Sequence, residues 1–185
     1  MSPARTARGR WVEAGLQALA SGGPDAVRVE ALARTLGVTK GGFYGYFADR
    51  DALLSAMLDR WEQESVDDVL TQTQVQDGDR QERATHAARL TFSPRLLPID
   101  LAVRTWAQQD ESVADRLRRV DSRRMEMLRE LIGTVCRDPL EAEARSLLAF
   151  CAALGARFLA ARHGSWSRDE VLERAAQLLL NPGPP

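Results

Sequence analysis

Apolar residues recur along the chain at intervals of three and four, the spacing that lines one face of an α-helix. Nowhere do β-branched residues alternate with polar ones over a useful length, so the pattern predicts helices and no strands. Trp11, Val12, Leu16 and Leu19 form a first stripe, closed by Ser21-Gly22-Gly23-Pro24. A short helix from about Val29 to Leu36 stops at Gly37, and a second runs from Lys40 to about Tyr46. Asp49 then caps a long helix carrying Leu54, Leu58, Trp61 and Val69.

Asp77-Gly78-Asp79 reads as a loop, and Ser93-Pro94 opens a later helix, proline being tolerated in a first turn where no amide donor is missed. From Val113, the stripe Leu117, Val120, Leu128, Leu131 and Val135 predicts a helix of about six turns. Asp138-Pro139-Leu140-Glu141 and Ser167-Arg168-Asp169-Glu170 each set a capping side chain three residues ahead of a glutamate. They start two final helices, at about 139–162 and 168–180. The expectation is an all-α fold of nine helices and no strands with a disordered tail, Asn181–Pro185.

Composition changes little. With 185 residues, 44% apolar and 28% charged, the chain is long enough and apolar enough to bury a core. No apolar run approaches the roughly 18 residues of a membrane span, and MSPARTARGRW has no apolar stretch of the kind a secretory signal needs. Cys136 and Cys151 lack CxxC spacing, and His86 and His163 lie far off, so no metal site is expected. Two unpaired cysteines fit a reducing compartment, the cytoplasm. No Ser/His/Asp or Cys/His grouping has useful spacing and the carboxylates are scattered, so neither an enzyme nor a cofactor is expected.

Charge is more informative. Residues 1–50 carry a net +3 while the remainder carries −4, as when a small module meets a polyanion and a larger body does not. Within that basic part, Leu32, Leu36, Val38, Phe43 and Tyr46 supply apolar surface, Ala33 permits close helix approach, and Gly37 reverses the chain. The combination is a helix-turn-helix pattern. Its second helix starts Thr39-Lys40-Gly41-Gly42, with Thr39 as cap and first-turn amides directed outward as an anion site. Lys40, the only lysine among 25 basic residues, sits where a cation opposes the helix dipole, which a phosphate or base-edge partner would explain. Gly41 and Gly42 each weaken a helix by roughly 1 kcal/mol but let backbone approach a duplex. Tyr44 and Tyr46 offer hydroxyls to phosphates, whereas Phe43 and Phe47 read as core.

The stretch from about Arg8 to Leu54 resembles the N-terminal domain of the tetracycline-repressor (TetR) family of transcriptional regulators. The likeness rests on Leu32-Ala33, Leu36-Gly37-Val38-Thr39, Tyr44-x-x-Phe47 and Asp49-Arg50-Asp51-x-Leu53-Leu54. It implies a three-helix DNA-binding head whose third helix enters the major groove, with contacts from Thr39, Lys40, Gly41, Gly42, Tyr44 and Tyr46. It also implies a phosphate contact from Arg50, where the family usually has lysine. Three positions depart from the pattern. Gly15 stands where alanine is usual, Arg28 replaces a capping threonine and is open to phosphate instead, and Tyr46 replaces a common histidine.

The resemblance divides the chain into a DNA-binding head, residues 1–48, and a body, residues 49–185, for effector binding and dimerisation. Leu147, Cys151 and Leu154 on one terminal helix and Val171, Leu172, Ala175, Leu178 and Leu179 on the other form the expected homodimer face, the alternative being a monomer's core. Trp61, Phe92, Trp106, Met125, Phe150 and Phe158 line a ligand pocket or are ordinary core. Arg124 lies on an apolar stripe one turn from Asp121, as an internal ion pair or as the anchor of an anionic ligand. The expected function is a repressor released from a palindromic operator in double-stranded DNA by a small-molecule effector. The competing reading is a small-molecule-binding helical protein of the same fold that does not act through DNA.

Overall fold

The computed structural model describes residues 7–69, 71, 93, 95–133 and 136–180, less the side chains of Arg157 and Leu180. Among these the fold is all-α, with eight α-helices and no strand; a lone bridge joins His163 to Trp166. The helices are α1 (Ala7–Gly22), α2 (Val29–Leu36), α3 (Lys40–Phe43), α4 (Arg50–Glu62), α5 (Leu96–Ala107), α6 (Glu111–Ile132), α7 (Pro139–Phe158) and α8 (Arg168–Leu180). The expected nine is therefore only approximate, eight lying among the described residues. The expected loop at 77–79, Val135, Pro94 and the tail 181–185 lie outside the described residues.

The chain divides into two compact units. One holds α1 to α5 and α6 as far as Val120; the other holds the rest of α6 with α7 and α8. In the first, α1 packs on α2, α4 and α5, and α2 packs on α3. Trp11, Leu16, Leu19, Val27, Leu32, Phe43, Phe47, Leu53 and Met57 are buried there, as the apolar stripes require. Gly15, the departure from the expected alanine, has a packing cause: an added Cβ would come within 2.5 Å of the buried Met57 Sδ.

Local chemistry bounds several helices where the sequence says. Gly37 is left-handed, φ 67°, and its amide with that of Val38 closes onto Arg34 and Ala33 carbonyls at 3.1 and 3.0 Å, a Schellman cap. Asp49 Oδ1 accepts the Ala52 amide at 2.7 Å, and Asp138 Oδ1 the Leu140 amide at 2.9 Å. Ser167 and Glu170 exchange side chain and amide at 2.7 and 3.2 Å, a full capping box. Glu141 does otherwise, pairing with Arg145 at 2.5 Å.

Four expectations change. The helix from Lys40 ends at Phe43, and Tyr44 to Tyr46 form a turn, because Gly41, Gly42 and Gly45 leave little to sustain a helix. Val38 and Tyr46 do not face the core: they are 43% and 45% exposed, since the cap after Gly37 and the turn after Phe43 swing them outward. The long helix after Asp49 passes at Gln63–Asp67 into a π turn that buries Glu64. Finally, α7 stops at Phe158, where Arg168 donates to the carbonyls of Ala156 and Leu159 and satisfies the open helix end.

Gly37→Ala is expected to cost about 1–2 kcal/mol, the penalty of a left-handed Cβ, read as a lower urea midpoint by circular dichroism. An unchanged midpoint would show that the turn has another backbone solution.

Candidate nucleic-acid interface

The four residues of α3 stand on the surface because one of them does not. Phe43 is fully buried, its ring 5.2 Å from Trp11 in an edge-on contact and 5.4 Å from a stacked Phe47. Burial of such a side chain is worth about 1.5–3 kcal/mol. Around that anchor, Thr39, Lys40, Gly41, Gly42, Tyr44, Gly45 and Tyr46 are all exposed.

Thr39 is extended, φ −80° and ψ 153°, and its hydroxyl accepts the Gly42 amide at 3.4 Å, the expected cap. A single helical turn has little macrodipole, so any anion affinity there rests on individual amides. The glycines carry a clearer message. An added Cβ at Gly41 or Gly42 would touch only Thr39 Oγ1, at 3.8 and 3.9 Å, and one at Gly45 only the Gly42 carbonyl, at 3.7 Å. None of the three has a positive φ, so no backbone strain and no close neighbour among the described residues requires glycine at these positions.

Tyr44 is 55% exposed, its ring edge-on to Phe43 at 5.3 Å. Arg28 precedes α2 without capping it; its Nε donates to the Asp25 carbonyl at 3.1 Å. Arg50 is committed to the protein itself. Its Nε donates to the Val27 carbonyl at 2.8 Å, and a second nitrogen donates to the Pro24 carbonyl, so its fork ties the start of α4 to the turn ahead of α2.

Sequence reasoning missed a partner for the lone lysine. Lys40 Nζ lies 2.5 Å from Glu30 Oε1, joining α3 to α2. The shared hydrogen bond holds Glu30 below the usual carboxylate range and Lys40 above the usual amine range. A separation of ten residues across a turn is no helical period, so no sequence pattern signals this pair. Two arginines also brace the head unannounced: Arg10 donates to the Leu36 carbonyl at 3.4 Å, and the Arg8 guanidinium sits 4.8 Å from the Phe47 ring centroid.

The pocket candidates separate. Trp61, fully buried, and Trp106, half-buried, belong to the first compact unit; Arg124, Met125, Phe150 and Phe158 belong to the second. Phe92 lies outside the described residues. Phe158 is 72% exposed, and Met125 and Phe150 are half-buried. Arg124 is buried, with Nη1 3.6 Å from Asp121 Oδ1, the internal ion-pair geometry. Of the dimer candidates, Leu147, Cys151 and Leu178 are exposed, while Leu154, Val171, Leu172, Ala175 and Leu179 are half-buried. Leu140 and Leu148 add exposed apolar surface to α7.

A buried aromatic anchor presenting an exposed, glycine-rich helix start after a Schellman turn is a helix-turn-helix arrangement, the kind that DNA-binding proteins use. Residues 12–57 match the family model described as bacterial regulatory proteins, tetR family, so the head of this chain is similar to the DNA-binding head of those regulators. No curated protein matches the chain. Among solved structures, a transcriptional regulator from Rhodococcus sp. Rha1 is 20% identical with a TM-score of 0.70, over 95% of this chain and 94% of that one. The fatty acid degradation regulator FadR from Bacillus halodurans is 19% identical, TM-score 0.66, over 92% and 96%. AibR, solved with isovaleryl coenzyme A and operator DNA, is 13% identical, TM-score 0.67, over 95% and 99%. These likenesses establish a shared fold. Among the described residues no helix is long and apolar enough to cross a membrane.

Arg50→Ala is expected to lower the unfolding free energy by about 1.5–3 kcal/mol, the value of hydrogen bonds from a charged donor, in urea titrations of the full chain. Arg50→Lys should recover only part of this, since an ammonium lacks the planar fork. Full recovery would mean that the charge, not the fork, ties the turn.

Proposed function

We propose that the chain acts as a homodimeric repressor that holds a pseudo-palindromic operator through its head and releases it when a small molecule binds the body. The observation that carries the DNA contact is the set of exposed glycines at 41, 42 and 45. Gly41 and Gly42 weaken the short helix and Gly45 lies in the turn that follows it, and packing among the described residues explains none of them. Close approach of a partner's surface to the backbone is the remaining physical reason for their bareness.

Within that reading, Thr39, Lys40, Gly41, Gly42, Tyr44 and Tyr46 meet the major groove and its flanking phosphates, and Arg28 lies beside them as a phosphate contact. Arg50 acts mainly through the turn that it braces, which presents Arg28. The exposed leucines of α7 and α8, Leu140, Leu147, Leu148 and Leu178, support a twofold interface, because several large apolar side chains on two terminal helices gain by being covered. Such a dimer sets two α3 helices on one duplex face. The effector acts by preferring the arrangement that does not fit the operator. AibR, bound to an acyl coenzyme A and operator DNA, supports an effector-gated mode for this fold. A head similar to this family's and several transcriptional regulators among the proteins that share the fold support a non-enzymatic regulator acting in the cytoplasm.

Duplexes recovered from a randomised pool with the purified protein test the reading. A pseudo-palindromic consensus is expected, bound with a steep salt dependence. In gel shifts Lys40→Ala should weaken binding and flatten the log–log salt slope by about one, and Tyr44→Phe should weaken it more modestly. Recovery of no sequence, or full affinity in both variants, would favour a helical ligand-binding protein that does not use DNA. For the dimer, Leu147→Glu is expected to shift the sedimentation coefficient to that of a monomer; a wild-type monomer at micromolar concentration would end the twofold model.

A further inference from the structure

We propose that Glu30 determines how selectively the head binds DNA: its carboxylate occupies the Lys40 ammonium in the free protein and gives it up only to a duplex that also satisfies the rest of the reading surface. The inference rests on the DNA-binding reading of the head and adds to it a residue that works against binding.

The geometry is specific. Lys40 is the chain's one lysine, and it lies in the first turn of the recognition helix. Its Nζ is held 2.5 Å from Glu30 Oε1, across the turn that joins α2 to α3. Both side chains are largely in solvent, 53% and 62% exposed, so neither is held there by burial. An ion pair in water is weak and exchangeable, and a flexible ammonium moves from one oxyanion to another more readily than a planar guanidinium fork does. Glu30 is thus an internal stand-in for phosphate, placed where a phosphate would otherwise bind the lysine.

Two consequences follow from electrostatics. A duplex of arbitrary sequence attracts the head chiefly through its phosphates. There, the neutralised lysine contributes little, and the carboxylate beside it repels the backbone. A duplex of the correct sequence supplies further contacts, and the exchange of Glu30 for phosphate is offset by them. Arg34, exposed and one turn along α2, offers the released carboxylate a second cation. Glu30 therefore costs non-specific binding more than specific binding and widens the ratio between them.

The test uses the full-length protein, a duplex of scrambled sequence and the tightest duplex recovered from a randomised pool, with Kd measured between 50 and 200 mM salt. Glu30→Gln removes the charge and keeps the shape. It is expected to tighten scrambled-duplex binding severalfold at 50 mM, to steepen the log–log salt slope by about one, and to tighten the selected duplex less. In a Lys40→Gln background the same substitution should lose most of its effect, because Glu30 acts through the lysine. Glu30→Ala, folded as judged by its helical circular dichroism, should repeat the gain. Unchanged scrambled-duplex affinity, an equal gain on both duplexes, or an undiminished gain without Lys40 would each overturn the proposal. Wild-type protein that binds neither duplex would overturn the DNA reading and this proposal with it.

Discussion

A helix of four residues, two of them glycine, has no stability of its own, and everything that α3 presents to the outside hangs on the ring of Phe43. That ring sits between Trp11 of α1 and Phe47 beyond the turn. It fixes the short helix to the core at one point while the rest of its circumference stays in water. The arrangement resolves a conflict between two demands. A reading surface must be bare enough for close approach, which costs helix propensity, yet fixed enough to keep its register on a partner. A single buried aromatic supplies the second so that glycine can supply the first.

Charge is divided in the same way. Arginines do most of the internal bracing in the first unit, where a planar fork reaches several acceptors. Arg95 bridges Glu13 of α1 and the buried Glu64 of the π turn at 2.8 and 2.6 Å. Arg116 of α6 reaches Asp59 and Glu62 of α4, both at 2.7 Å. Arg50 holds the turn ahead of α2. These contacts tie helices far apart in sequence to α4, the helix that follows the head. The lone lysine, by contrast, stands in solvent with a partner that it can exchange. A basic residue's role in this chain is thus decided by what surrounds it more than by its charge.

The second unit shows apolar side chains reaching into water. Leu147 and Leu148 on α7 and Leu178 on α8 are more than half exposed, while Ser146 is fully buried and returns its hydroxyl to the Ala142 carbonyl at 2.7 Å. Arg145 links the two helices by donating to the Leu179 carbonyl at 2.8 Å. The pair is therefore tied together by a hydrogen bond while several of its leucines stay exposed. This surface is what makes a second copy the natural partner in the proposed model.

The all-helical class, the approximate places of most helices, the caps at Asp49, Asp138 and Ser167 and the stop at Gly37 were legible in the sequence. Each depends on residues within four or five positions of one another, where helical period and capping chemistry act. The length of α3 was less legible, since three scattered glycines shorten a helix that apolar spacing alone would continue. The outward turn of Val38 and Tyr46 follows from dihedral angles at the neighbouring cap and turn, which composition does not encode. Only tertiary structure decided that Gly15 makes room for Met57, that Arg50 spends its fork on the protein's own carbonyls, and that Lys40 is met by Glu30. Those pairings join residues 10 to 42 positions apart, and contact at that range is set by how helices pack rather than by any spacing along the chain.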